Sequence, residues 1–346
     1  MKVKVGLIGP RRSQDGYGIG QFIARELLNY SLSDLTAIMG TTPQTLKQAI
    51  ADLNSDMSNK FNGTAYTIKQ SKEFFNNPKI DLIVICSPSE THEEYIRKAL
   101  MAGKHVLVEK PLLHDISIPF KERIQKAHSL VKLADSKGLF LATNCQRASI
   151  VQVLCEKLSL PLQPFFVDIE LETSSRGKKV KNPKDLFELL ITHPLSLLVK
   201  YGLTDFKLMK IENYSQKSNS NSSELIVNGS YNSKSCSIRY RIKVKQTKKS
   251  SFARTVVKID DEKPVEITTE ESPDGKLKTR YVPLAKNSSA THSEDHLKTS
   301  ITKIIDAIHY KNKDHMPLIT NSESYFIYAL QERLRELLFS RNHIEN

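Results

Sequence analysis

Lys110 is the residue of this chain best placed for proton chemistry, and its neighbours explain why. It closes the run Lys104-His105-Val106-Leu107-Val108-Glu109-Lys110-Pro111, in which Val106, Leu107 and Val108 form a short apolar strand of the kind buried in parallel sheets. Pro111 has no amide hydrogen for a ladder and pushes Lys110 out of helical geometry. Lys110 is thereby presented at a strand's carboxyl end, the edge at which open α/β sheets bind ligands. Partial burial lowers the pKa of such an amine, which can then hydrogen-bond or titrate against a substrate hydroxyl. Glu109 beside it offers a carboxylate to position it.

The flanking elements have the grammar of a nucleotide-binding sheet. Ile80 to Ile85 (IDLIVI) reads as a second buried strand, closed by Cys86-Ser87-Pro88-Ser89, and Thr91-His92-Glu93-Glu94 opens a helix running to Ala102-Gly103. Acidic residues suit a first helical turn, and Gly103 suits the residue after the last. The unit is strand, helix, strand, short enough for a right-handed crossover. Ser87, Pro88 and His92 are candidates for cofactor contact there, with capping as the other role open to His92.

At the amino end, Lys2 to Ile8 (KVKVGLI) is a strand, and Ile19-Gly20-Gln21-Phe22-Ile23-Ala24 begins a helix. Strand, glycine turn and helix are the parts of a dinucleotide fingerprint, in which the first and third glycines stand about five residues apart. Here Gly9 and Gly20 are 11 apart, so the turn carries about six extra residues. Gly9, Gly18, Ile19 and Gly20 are the expected pyrophosphate contacts, and Arg11 and Arg12 are either bidentate phosphate ligands or part of a solvated loop. The next strand, Asp34 to Met39, runs into Gly40-Thr41-Thr42-Pro43, where an acid would hydrogen-bond the 2′-hydroxyl of NAD. With none present, NADP is favoured over NAD, with Thr41 and Thr42 as candidate contacts; Thr42 and Pro43 equally fit the N-cap and first position of a helix.

Taken whole, DLIVICSPSETHEEYIRKALMAGKHVLVEKPL (Asp81–Leu112) resembles the glucose-fructose oxidoreductase / inositol dehydrogenase / rhizopine-catabolism family. The resemblance implies an N-terminal Rossmann domain and a C-terminal α+β domain with an open, mostly antiparallel sheet. It extends more faintly to HLKTSITKIIDAIHYKNKDHMPLIT near the end. It also implies that HPLSLLVKYG (His193–Gly202) is the helix carrying a catalytic histidine, His193. Imidazole takes a hydroxyl proton well near neutral pH. The family's aspartate four residues earlier is replaced by Leu189, leaving Asp185 or Glu188 as substitutes if the backbone path differs.

At 346 residues the chain is long enough for two domains, expected at 1–147 and 148–346. Strands and helices alternate to Phe140–Asn144, and Gln146 and Arg147, leading out of that strand, are candidates for substrate contact with Lys110 and His193. Thereafter Phe165–Glu172, Lys207–Tyr214, Glu224–Tyr231, Cys236–Lys245, Ala253–Ile259 and Val265–Glu270 read as strands, with Ser215–Ser223 as a polar hairpin loop. Helices return at Asp295–His309 and Ser322–Phe339, and His292, Glu294, Asp295 and His296 fit a helix start better than a metal site.

No apolar run approaches a membrane span, no secretory signal opens the chain and the four cysteines form no CxxC pair, so a cytoplasmic protein without metal is expected. The net charge of +13 is densest in Arg239-Tyr240-Arg241-Ile242-Lys243-Val244-Lys245, whose alternation makes one face basic. A solvent face of an antiparallel strand explains this; an anionic partner or subunit contact is the other reading. Nothing of a helix-turn-helix, RNA-binding or zinc-finger pattern accompanies it, so no nucleic acid is expected. The combined expectation is an NAD(P)-dependent oxidoreductase acting on a hydroxyl or carbonyl carbon of a sugar, polyol or related metabolite, homo-oligomeric through the C-terminal sheet. The alternative is a catalytically weak nucleotide-binding regulator or scaffold of the same fold.

Overall fold

Five short apolar runs and one polar segment, Thr64–Thr67, become six parallel strands. The computed structural model describes residues 1–11, 19–55, 59–115, 117–175, 179–248, 253–271, 277–284, 292–312 and 314–339. The first compact unit comprises Met1–Cys145 and Leu297–Tyr325, the second Gln146–His296 and the chain from Phe326.

In the first unit, β1 (Val3–Ile8), β2 (Ser33–Gly40), β3 (Thr64–Thr67), β4 (Leu82–Ile85), β5 (His105–Val108) and β6 (Leu141–Thr143) are ordered β3-β2-β1-β4-β5-β6. The order reverses direction between β1 and β4, the switch point at which such sheets bind ligands. Every residue of β4 is buried, and β1 and β5 nearly so, because helices cover both faces. These helices are α1 (Gly20–Asn29), α2 (Pro43–Ser55), α3 (Ser71–Phe75), α4 (His92–Met101) and α5 (Phe120–Ser136). Gly103 follows α4 with φ +73°.

The segment that returns to this unit carries most of α9 (His296–Tyr310). Ile301, Ile304 and Ile305 are buried, Tyr30 Oη donates to Asp306 at 2.5 Å, and Ser300 Oγ donates to Asn144 at 2.8 Å. A continuous second domain over 148–346 therefore differs from the compact units. The departure is tertiary: an amphipathic helix docks where its apolar face finds cover, whatever its place in the chain.

The second unit holds α6 (Ser149–Glu156), α7 (Pro183–Leu190), α8 (Thr192–Lys200) and most of α10 (Asn321–Phe339). Its sheet contains β7 (Phe166–Ser174), β8 (Met209–Ser218), β9 (Ser222–Asn232), β10 (Ser237–Thr247), β11 (Ala253–Ile259), β12 (Val265–Glu271), β13 (Leu277–Pro283) and β14 (His292–Glu294). The order is β14-β13-β12-β11-β7-β10-β9-β8, and only the central β7–β10 pair is parallel. The mostly antiparallel sheet is as expected, with β13 and β14 added. The expected loop 215–223 is a correction: β8 runs to Ser218 and β9 begins at Ser222. Backbone ladder bonds need no apolar side chains, so an exposed edge strand tolerates this serine- and asparagine-rich sequence.

Three of the four cations of the basic strand are paired within its own sheet. Arg241 meets Asp168 at 2.9 Å, Lys243 meets Glu170 and Glu224 at 3.2 and 3.3 Å, and Lys245 meets Glu172 at 3.2 Å. The acids come from β7 and β9, the two strands flanking β10. No described helix is long and apolar enough to cross a membrane.

Candidate active site

In the first unit the glycine turn closes despite its long spacing. Gly9 adopts φ +75°, and a Cβ there would meet the Cys86 carbonyl oxygen at 2.7 Å. A Cβ on Gly20 would lie 1.9 Å from the Gly9 carbonyl oxygen, so the first residue of α1 rests on the turn with no room for a side chain. Gly20 thus does the work of a fingerprint's last glycine, close packing of helix on strand. Ile19 precedes α1 without a side-chain cap, and no acid occupies the first turn. Such a helix start leaves amide donors and the positive end of the dipole for an anion. Arg11 is half-buried in the bend after Pro10, and Arg12 and Gly18 lie outside the described residues.

The threonines after β2 are occupied locally. Thr42 Oγ1 accepts from the Thr45 amide at 3.2 Å, capping α2 with Pro43 at its first position, and Thr41 Oγ1 lies 3.3 Å from Thr45 Oγ1. Both remain exposed.

The ends of β4 and β5 are tied together by His92, which is 1% exposed. Its Nδ1 lies 2.8 Å from the Pro111 carbonyl oxygen and its Nε2 3.0 Å from that of Ser87. Burial lowers its pKa, against the pull of these carbonyls. His92 therefore braces the two loops rather than offering a free nitrogen to a nucleotide. Ser87 Oγ shares a hydrogen bond with Thr91 Oγ1 at 2.7 Å, so the Ser87-Pro88 turn is held from both sides.

Glu109 and Lys110 follow β5 directly, and the Lys110–Pro111 peptide is cis. Asn144 Nδ2 donates to Glu109 Oε1 at 2.5 Å, while Asn144 Oδ1 accepts from Ser300 Oγ. Burial raises the Glu109 pKa; the Asn144 hydrogen bond, the Lys110 charge and the Lys110 amide pull it down. The carboxylate is thus held from Asn144 and coupled to Lys110. Asn144 and Ser300 escaped the sequence reading. A buried asparagine ending a strand carried a faint signal, whereas Ser300, 156 residues away, carried none.

In the second unit, the turn Gln146–Ala148 packs on α8, whose second residue is His193. Thr192 Oγ1 donates to Gln331 Oε1 at 2.8 Å and anchors the start of that helix to α10. Helix α8 begins at Thr192, one residue before His193, with Pro194 as its third residue. The possible substitutes for the missing aspartate are engaged elsewhere. Arg335 donates to both oxygens of Glu188, through Nε at 2.7 Å and through Nη2, and Asp185 accepts from Asn182 Nδ2 at 3.0 Å.

Arg147 Nη1 donates to Thr255 Oγ1, and burial pulls its pKa down to about 10. His296 lies beside this group, with Nδ1 2.5 Å from Ser149 Oγ and Nε2 3.0 Å from Tyr281 Oη. Because Ser149 Oγ donates to the Gln146 carbonyl at 2.8 Å, it accepts from His296 Nδ1–H, and Nε2 accepts from Tyr281. Burial, with the Arg147 charge second, lowers the His296 pKa to about 3, so the ring is neutral. Gln146 Oε1 is buried without a hydrogen-bond partner among the described residues. No described group of three or more His, Cys, Asp and Glu side chains could hold a metal ion.

Comparison with known proteins agrees with this geometry. Residues 4–145 match the profile of an oxidoreductase family with an NAD-binding Rossmann fold. The chain is 34% identical over 119 residues to the uncharacterized oxidoreductase YdgJ of Escherichia coli, covering 34% of this chain and 32% of that one. It is 25% identical over 142 residues to the scyllo-inositol 2-dehydrogenase (NADP(+)) IolW of Bacillus subtilis, covering 40% of this chain and 32% of that one. The matched stretches thus span about a third of these curated relatives. Among solved structures, the UDP-N-acetylglucosamine 3-dehydrogenase GnnA from Acidithiobacillus ferrooxidans superposes with a TM-score of 0.65 at 15% identity, covering 96% of this chain and 97% of that one, which shows a shared fold. Over residues 4–145, the Rossmann unit that ends β5 in Glu109-Lys110-Pro111, the chain is thus similar to the glucose-fructose oxidoreductase / inositol dehydrogenase / rhizopine-catabolism family of oxidoreductases.

Proposed function

We propose that this protein is an NAD(P)-dependent dehydrogenase or reductase that moves hydride between the nicotinamide and a hydroxyl or carbonyl carbon of a sugar, polyol or related metabolite. The observation that carries the reading is Lys110 at the carboxyl end of β5, coupled to a buried Glu109 that Asn144 holds, two strands from the glycine turn of β1. The residues fit a dinucleotide: Gly9 and Gly20 leave a turn that any Cβ would obstruct, and the start of α1 lacks both a side-chain cap and an acid. Gly9, Ile19, Gly20 and the first amides of α1 would hold the pyrophosphate, with Arg11 and, beyond the described residues, Arg12 and Gly18 beside it. The bound nicotinamide supplies the hydride chemistry. Absence of an acid after β2 supports NADP over NAD, as Gly40-Thr41-Thr42 presents no carboxylate to a 2′-phosphate.

The chain's own task is proton handling and alignment. Lys110 exchanges a proton with, or polarises, the substrate oxygen, and Glu109 sets the amine's charge and orientation. His193 is assigned acid/base duty, and Gln146 and Arg147 substrate contact. A homo-oligomer formed through the second sheet and a cytoplasmic setting belong to the same reading; all four cysteines are free thiols. The test is a sugar and polyol panel assayed with NADPH, NADP, NADH and NAD. Lys110→Ala should lower turnover by about a hundredfold or more while nucleotide affinity changes little. A variant with near-normal turnover would reduce Lys110 to a structural or nucleotide contact.

One observation favours a second reading, a nucleotide-binding regulator without turnover. Leu189 stands a turn before His193, and Glu188 and Asp185 are spent on Arg335 and Asn182. A wild-type protein that binds NADPH yet turns over no member of the panel would favour this reading.

A further inference from the structure

Arg147 meets neutral groups among the described residues. Its Nη1 donates to Thr255, its electrostatic neighbours are the Tyr281 hydroxyl and the neutral His296 ring, and no described carboxylate pairs with it. On this unit's sheet, by contrast, Arg241, Lys243, Lys245 and Arg254 each have an acid within 3.3 Å. Burying a guanidinium without a counter-charge is costly, and folded proteins retain such a group where something else supplies the charge.

The rest of the fork has no partner among the described residues. Nε and Nη2 of Arg147 make no hydrogen bond to a described residue, and neither is sealed among the buried unpaired atoms. Two adjacent donors on a planar guanidinium match the two oxygens of a carboxylate or phosphate. The preceding residue of the same turn adds an independent sign, because Gln146 Oε1 is a buried acceptor that lacks a donor among the described residues. A ligand hydroxyl reaching this turn would satisfy it.

We infer that Arg147 receives an oxyanion of the substrate, so that the metabolite is an acidic sugar or polyol, carrying a carboxylate or phosphate near a hydroxyl, rather than a neutral one. The inference rests on the reading of this unit as the substrate side of an oxidoreductase and narrows the substrate class. His296, Tyr281, Ser149 and Thr255 form a neutral floor that holds the guanidinium without quenching it.

The test uses the full chain with sodium acetate and inorganic phosphate as probes, against sodium chloride at equal ionic strength. Wild type should gain roughly 3–6 °C in melting temperature at tenfold the anion's Kd. The His296 imidazole resonances should move in step. Arg147→Met should lose both responses and, without anion, melt above wild type, since the unpaired charge is gone. Arg147→Lys, which keeps the charge and loses the fork, should weaken the response at least about fivefold, and it decides the matter if the methionine variant does not fold. A larger effect of acetate than of phosphate identifies a carboxylate, the reverse a phosphate. No anion-specific response in wild type, or an unchanged response in the variants, overturns the inference. Parallel NADPH titration separates the two claims: nucleotide binding without an anion response defeats only the oxyanion, and the converse defeats only the oxidoreductase.

Discussion

Replacing Gly20 with alanine places a methyl group 1.9 Å from the Gly9 carbonyl oxygen and 3.0 Å from its carbon. The obstacle is backbone, so no side chain can swing away. Restoring an ordinary contact requires the start of α1 or the β1 turn to retreat by about 1 Å or more in an interior packed to crystal density. Helix α1 resists, because Ile23, Ala24 and Leu27 are fully buried beneath it. Overpacking of this kind costs about 1–3 kcal/mol, which lowers the melting point of a unit this size by roughly 2–10 °C. The functional loss should be larger than the stability loss, since the displaced amides are those assigned to the pyrophosphate. NADPH affinity, measured by calorimetry, should fall at least about tenfold, or 1.4 kcal/mol. Gly103→Ala is the control: its φ is also positive, at +73°, yet no atom lies within 4 Å of the added methyl. It should cost about 1–2 kcal/mol of backbone strain and leave NADPH binding alone. Normal nucleotide affinity in Gly20→Ala would refute the argument that the two glycines form the cradle.

His193→Ala should reduce hydride transfer and flatten the pH–rate profile near the imidazole range, about 6.5 before perturbation, with NADPH binding intact; an unaltered profile would leave Lys110 as the principal proton carrier. Glu109 has a raised pKa, so ionising it works against folding, and the stability it contributes below the ordinary glutamate range is lost as pH rises through its folded value. Glu109→Gln should therefore gain on wild type as pH climbs through that window while turnover drops, and denaturant midpoints that track wild type at every pH would contradict the assignment. His296 runs the other way: its folded pKa of about 3 lies below the ordinary 6.5, so stability present at neutral pH drains away as pH falls between those values. The contribution is about 1.4 kcal/mol per pH unit inside the window, and His296→Gln, weaker at pH 7, should show a correspondingly shallower acid slope in urea titrations.

Local chemistry made the first sheet readable. LIVI (Leu82–Ile85) and VLV (Val106 to Val108) are continuous apolar runs of the kind a doubly covered parallel sheet accepts, and Pro111 and Gly103 mark where neighbouring elements must stop. Lys110 and Glu109 were legible because a charged pair after such a run has one place to go, the sheet's carboxyl edge. Thr42 and Pro43 announced the start of α2, and the alternation in β10 announced its two faces.

Tertiary structure decided what depends on partners distant in the chain. Gly9 and Gly20 stand 11 positions apart in the chain, and only folding shows that they end in contact. Ser300 reaches Asn144 across 156 positions to hold Glu109, and the acids that pair with β10 arrive from β7 and β9. Arg335, 147 residues from Glu188, claims the carboxylate that would have been the nearest substitute beside His193. Sequence patterns report which residues must leave water and which way a chain turns, since those costs are local. Which charge ends up paired, and which, like Arg147, is left for a ligand, is settled by contacts that exist only once the sheets have assembled.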